Sequence, residues 1–176
     1  GPTGLVGIVE AFLAAIPYLP YDIKLIEAPE VDLGLNMFGN ILCVDKKSSY
    51  EGDEIIISTL DLDHSSPCIG YSFYVPRRPK FLPEKAIEYG IPKEKWSILQ
   101  SGKPIIYKDN VYRPSQVLGK ERRGIKLSYI TDTRPIDEIV SFIEESNFFV
   151  CEGTYGDSED IEKAVENKHM TFEEAA

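Results

Sequence analysis

Leu5, Ile8, Val9, Phe12, Leu13 and Ile16 recur at the spacing of one helix face, which predicts an amphipathic helix ended by Pro17 and the Tyr18-Leu19-Pro20 break. The period then changes. Apolar runs over 23–26, 37–44, 55–62 and 68–75 have strand character, and the Pro, Gly, Ser and Asp clusters between them punctuate antiparallel strands. The stretch 45–53, which holds Lys46-Lys47-Ser48-Ser49, reads as a solvated turn. Over 77–117 proline is dense (Pro79, Pro83, Pro92, Pro104, Pro114). Short helices are predicted there at 84–89 and 94–100, followed by a hairpin turning on Asp109-Asn110. Such a stretch reads as a loosely built insertion and not as core.

From Gly124 onward the pattern is that of two strand-then-helix units. Ile125, Leu127, Tyr129 and Ile130 form an apolar strand that stops at Asp132-Thr133, and Arg134-Pro135 opens a helix. Phe148, Phe149 and Val150 make a second, short buried strand that stops at Cys151-Glu152-Gly153-Thr154. An acidic helix over 157–167 follows, then His169-Met170-Thr171. Thr171-x-x-Glu174 is a capping-box pattern, which announces one more helix. The fold class expected is α/β. Open α/β sheets hold ligands beyond the carboxyl ends of their strands, so Asp132, Glu152 and His169 mark a candidate site.

Composition adds bounds. A chain of 176 residues can bury a real core, and 43% hydrophobic and 27% charged residues are ordinary globular values. No apolar run approaches the ~20 residues of a membrane span, and no signal-peptide pattern opens the sequence. Three cysteines, Cys43, Cys68 and Cys151, have no metal-site spacing and point to buried thiols in a reducing, cytoplasmic compartment. The net charge of −10 works against nucleic-acid binding in general. The charge is uneven, however: Arg77, Arg78, Lys80, Lys93, Lys95, Lys103, Lys108, Arg113, Lys120, Arg122 and Arg123 crowd the middle third. A local basic face on an acidic protein can still hold RNA. A start at Gly-Pro-Thr-Gly, and a capping box so near Ala176, lead us to expect a piece of a larger domain.

The chain has two histidines, His64 and His169. His64 follows a predicted strand in Asp61-Leu62-Asp63-His64, a position that fixes an imidazole while leaving room for a cation. Its plainer reading is a surface-loop histidine. Asp132 can bridge two cations, or simply sit in a turn before a helix where negative charge is favoured. A carboxylate such as Glu152 that accepts from an imidazole fixes its tautomer and raises its basicity, so Glu152 with His169 suits general acid catalysis. The plainer reading is a strand-end Glu and a His near a helix cap.

Three strings, taken in their order and spacing, resemble the later half of ribonuclease Z, the metallo-β-lactamase-fold enzyme that trims the 3′ end of precursor tRNA. They are Thr131-Asp132-Thr133-Arg134-Pro135, Cys151-Glu152-Gly153-Thr154, and His169-Met170-Thr171 with Glu173-Glu174-Ala175-Ala176, with the His64 loop upstream. The resemblance covers essentially the whole chain. It implies an incomplete metallo-β-lactamase-like αββα sandwich, with His64 and Asp132 as metal ligands and Glu152 and His169 as the catalytic pair. It implies two zinc ions per complete site (carboxylate-rich sites also take manganese), a precursor tRNA substrate and a homodimer. It also makes the stretch 77–117 the arm that grips tRNA, although the Gly-Pro usual at the arm's tip is missing here. Cys151 and Gly153 depart from the His and Ala found in many members. A dinuclear hydrolytic site takes roughly seven or eight protein ligand atoms, and no HxHxDH string occurs in this sequence. The segment alone is therefore expected to bind metal weakly and to be inactive. Two other functions fit the same residues: a related hydrolase of a small phosphodiester or sulfate ester, and a non-catalytic α/β interaction domain whose histidines are incidental.

Overall fold

The computed structural model describes residues 1–16, 18–27, 32–35, 41–43 and 55–176, which fall into two compact units, Gly1–Val75 with Ile125–Ala176, and Pro76–Gly124. In the first unit, α1 (Leu5–Leu13), β1 (Asp32–Leu35), β2 (Ile41–Cys43), β3 (Ile55–Leu62) and β4 (Cys68–Arg77) come before the second unit. The second unit carries α2 (Pro83–Glu88), α3 (Trp96–Gln100), β5 (Ile105–Tyr107) and β6 (Asn110–Tyr112). After it run β7 (Arg122–Ile130), α4 (Asp137–Ile143), β8 (Phe148–Cys151), α5 (Ile161–Asn167) and α6 (Phe172–Ala175). The protein is mixed α/β.

Six strands form one sheet in the order β2-β1-β3-β4-β7-β8. β1 pairs antiparallel with β2 and β3, and β3 pairs antiparallel with β4. β7 and β8 are parallel, with α4 as the crossover such a pair requires. Their register, from Leu127↔Phe148 to Ile130↔Cys151, makes both strands finish level. Asp132 and Glu152 thereby emerge side by side.

Leu60 and Leu62 of β3, Ile130 of β7, Ile139 of α4 and Met170 form the buried core behind that edge. Each such side chain contributes about 1.5–3 kcal/mol on burial. α4 has 7 residues, well short of the ~12–15 an isolated helix needs, so packing on this core is what holds it. Gly70 lets β4 approach β7 closely, since a Cβ there would stand 2.6 Å from Ile130 Cδ1.

Several local expectations change. Residues 23–26 form no strand; the amino-terminal NH3⁺ donates to Ile26 O at 2.7 Å instead. β1 arises where Asp32 and Gly34, poor strand formers, gave no strand signal. The expected turn over 45–53 lies outside the described residues. The apolar face of α1 is not buried among the described residues, with Ile8 61% and Phe12 71% exposed. α4 begins at Asp137 after an extended Ile136, so Arg134-Pro135 precede the helix and do not open it. β8 is only half buried because side chains alternate along it: Phe148 is exposed while Phe149 packs on the core.

The second unit, Pro76–Gly124, is better built than its prolines suggest. Ala86, Ile91, Leu99, Ile105 and Val117 form a core of their own, and Trp96 Nε1 donates to Ile91 O at 2.9 Å. The β5–β6 turn is made by Lys108 and Asp109, both left-handed at φ 49° and 61°. It sits one residue earlier than expected because Asn110 already pairs with Tyr107. This unit holds twelve Lys and Arg against five Asp and Glu.

Candidate active site

Three chain crossings meet where β3, β7 and β8 end. Thr133 Oγ1 accepts from Asp63 N at 3.0 Å, and Arg134 N donates to Asp63 O at 2.9 Å, so the loop after β3 is tied to the loop after β7. Glu152 N donates to Ile130 O at 3.2 Å and ties in the end of β8. The turn after α5 closes the group: Lys168 takes the left-handed conformation at φ 56°, and Tyr155 bridges to Thr171. His64, Asp132, Glu152 and His169 are brought together on these four loops.

Glu152 is the most constrained of the four, with its side chain 7% exposed. Burial pushes its carboxyl pKa up. Hydrogen bonds from the Thr154 hydroxyl and from the main-chain N–H groups of Thr133, Thr154 and Met170 outweigh that, leaving it below its ordinary 4.5. Thr133 N donates to Oε1 at 2.8 Å, while Thr154 N and Oγ1 donate to Oε2 at 3.1 and 2.7 Å. An ionised carboxylate can only accept. His169 Nδ1, 3.1 Å from Oε1, therefore carries its proton toward Glu152. Thr154 Oγ1 lies 3.2 Å from the same nitrogen and, with its own proton spent on Glu152, accepts there too. The tautomer of His169 is fixed, and Nε2 is the nitrogen left to exchange a proton.

Asp132 differs. Its side chain is 57% exposed and Oδ1 stands 4.0 Å from His169 Nδ1, beyond hydrogen-bonding reach. Among the described residues nothing donates to its carboxylate. Asp132, Glu152 and His169 have ligand atoms within 4.8 Å of one another. Of these three, Glu152 is already saturated by hydrogen bonds, so Asp132 is the carboxylate available to a cation.

His64 stands next to His169, with ring centroids 5.0 Å apart and planes inclined by 56°. Its Nδ1 faces Lys168 O at 3.0 Å. A carbonyl only accepts, so Nδ1 is protonated and Nε2 is the nitrogen with a lone pair to offer. Among the described residues only the Ser65 hydroxyl, at 3.4 Å, is in hydrogen-bonding reach of it. The His64 Nε2 and the Asp132 carboxylate are donor types suited to a zinc-type cation, but the ligand atoms that lie within 4.8 Å of one another are those of Asp132, Glu152 and His169, and His64 is not among them.

Sequence reading missed the supporting groups. Thr133 and Thr154 lie inside the quoted strings, yet nothing in a threonine announces that it will donate to a particular Glu. Lys168 carries no signal either: its carbonyl orients His64 while its Nζ pairs with Asp63 Oδ1 at 2.6 Å. Burial, with the neighbouring Glu152 charge, pushes the Cys151 thiol up and disfavours its thiolate form. Its Sγ rests 3.9 Å from Met170 Sδ. Gly153 has a local reason, since a Cβ there would meet Phe172 Cδ1 at 2.5 Å.

Sheet and cluster define an α/β protein with a carboxylate–imidazole site beyond the carboxyl ends of its strands. No family model matches the chain. Relatives do. The chain is 52% identical over 176 residues to the ribonuclease Z of Clostridium novyi and 51% over 175 residues to that of Alkaliphilus oremlandii, covering 100% and 99% of this sequence. The identity to the ribonuclease Z of Clostridioides difficile is 44% over 176 residues. The chain is a homologue of ribonuclease Z along its whole length. It spans about half the length of these relatives, 55%, 55% and 54%.

Proposed function

We propose that this chain is part of a metal-dependent endoribonuclease of the ribonuclease Z type that removes 3′ trailers from precursor tRNA. The Glu152–His169 pair beside Asp132 and His64 carries the proposal. His64 Nε2 and Asp132 would hold metal together with ligands from outside the 176 residues. Two zinc ions are the expected complement, manganese being the alternative. Bound there, a divalent cation would polarise a phosphate oxygen and lower the pKa of water. His169, steadied through Nδ1 by Glu152 and Thr154, would protonate the departing 3′ oxygen from Nε2 as the phosphodiester breaks.

The same reading extends to the rest of the chain. The sheet would be half of an αββα sandwich, and residues 77–117, within the basic unit, would form the arm that grips tRNA. A homodimer and a cytoplasmic setting complete it; no helix among the described residues is long and apolar enough to cross a membrane. The small-ester and interaction-domain alternatives gain no support from relatives named ribonuclease Z at about half identity.

The test is cleavage of a trailer-bearing precursor tRNA by the full-length protein, with end analysis of the product. A cut leaving a 3′ hydroxyl on the tRNA is expected, and Asp132→Ala should lose both metal and activity. Stoichiometric metal retained in Asp132→Ala would refute its ligand role. Intact precursor after incubation with the metal-loaded wild type would refute the function.

A further inference from the structure

We propose that Arg134 is a positioning residue for this site, holding the turn that carries His169 against the loops that carry His64 and Asp132. The inference rests on the proton-donor role given to His169 above. Arg134 works in two directions. Its main-chain N–H donates to Asp63 O at 2.9 Å, next to His64 in sequence. Its guanidinium reaches the other way: Nη1 donates to the His169 carbonyl and, at 2.9 Å, to Glu174 Oε2, while Nη2 donates to Glu174 Oε1. That is a bidentate fork, which an arginine makes and a lysine cannot.

Glu174 is itself held. Its Oε2 accepts from Thr171 N at 3.0 Å, and Thr171 Oγ1 accepts from Glu174 N at 3.3 Å, the reciprocal cap of α6. The Arg134 and Glu174 side chains are 18% and 21% exposed, so solvent competes little for the pair. His169 is thus fixed at two points: its ring by Glu152 and Thr154, its carbonyl by Arg134. The capping box alone would start α6. It is the bond to the His169 carbonyl that links the cap to the proton donor. Within one turn, Asp132 offers its carboxylate to the site and Arg134 sets where His169 stands.

The experiment is steady-state cleavage of a precursor tRNA by full-length protein carrying Arg134→Ala, Arg134→Lys, His169→Ala, or Arg134→Ala with His169→Ala. Misplacing a catalytic group by about 1 Å costs on the order of 100-fold. Arg134→Ala is therefore expected to lower kcat about 10- to 100-fold, with KM and metal content near wild type. Arg134→Lys should recover part of the loss. In the His169→Ala background, Arg134→Ala should add less than about twofold, because residues acting through one another do not add. Wild-type kcat in Arg134→Ala would overturn the positioning role, as would its full loss repeated on top of His169→Ala. Should Arg134→Ala fail to fold, Glu174→Gln, which removes one arm of the fork but keeps an acceptor for Thr171 N, takes its place in the same comparison. His169→Ala cleaving at the wild-type rate would instead overturn the proton-donor reading beneath this one.

Discussion

Glu174 and Glu152 are two carboxylates kept ionised by different means, and the difference is testable. Hydrogen bonds from the Arg134 side chain are the largest influence on Glu174 and hold it below its ordinary 4.5. Its pKa is lower folded than unfolded, so its stabilising contribution is complete above about pH 4.5 and drains away as pH falls through the folded value. Wild type should melt above Glu174→Gln at neutral pH, and the gap should narrow as pH falls below 4.5. A gap that stays constant across the range would contradict the ion pair. Glu152 owes its ionisation to neutral donors, above all Thr154. A hydrogen bond to a charged group is worth about 1.5–3 kcal/mol, so Thr154→Val should slow cleavage about tenfold or more, with metal content unchanged. An unaltered rate would mean Thr154 does not steady the pair. At this scale the four candidate residues that the structure brings close together stood out in the sequence, because Asp, Glu and His at strand ends are conspicuous. The sequence was silent on Thr133, Thr154 and Lys168, whose roles exist only once separate loops meet.

Elements were legible where period and length agreed. β3, β4, β7 and the α4–β8–α5 succession follow from apolar alternation and helical spacing, and the parallel pairing of β7 with β8 was implicit in the strand-then-helix order. The boundaries moved where tertiary contacts intervened: Arg134 is drawn off to Asp63 and Glu174, so α4 starts three residues later. The second unit was misjudged because proline density hid a core. Leu99 is fully buried there among Ala86, Ile91, Ile105 and Val117. Leu99→Ala should destabilise this unit by about 2–5 kcal/mol, read as increased hydrogen exchange or proteolysis within Pro76–Gly124. Unchanged protection would mean the cluster does not hold the unit together.

For the whole molecule, the acidic total of −10 concealed a basic unit, twelve cations against five acids. On the proposed reading, that basic unit is the region through which an acidic protein would approach RNA. The expectation of a partial chain is matched: the sequence holds no HxHxDH string, and the chain spans about half the length of its ribonuclease Z relatives. The αββα sandwich rests on the resemblance and not on residue pattern, because a second sheet is a relation between segments. The proposed function gives His169, oriented by Glu152, the part of a proton donor and not of a metal ligand. The most direct measurement compares single-turnover cleavage of a precursor tRNA by full-length wild type and His169→Ala, with bound metal determined in the same samples. The rate in His169→Ala is expected to fall on the order of 100-fold or more with metal unchanged. Wild-type cleavage, or metal lost together with activity, would contradict it.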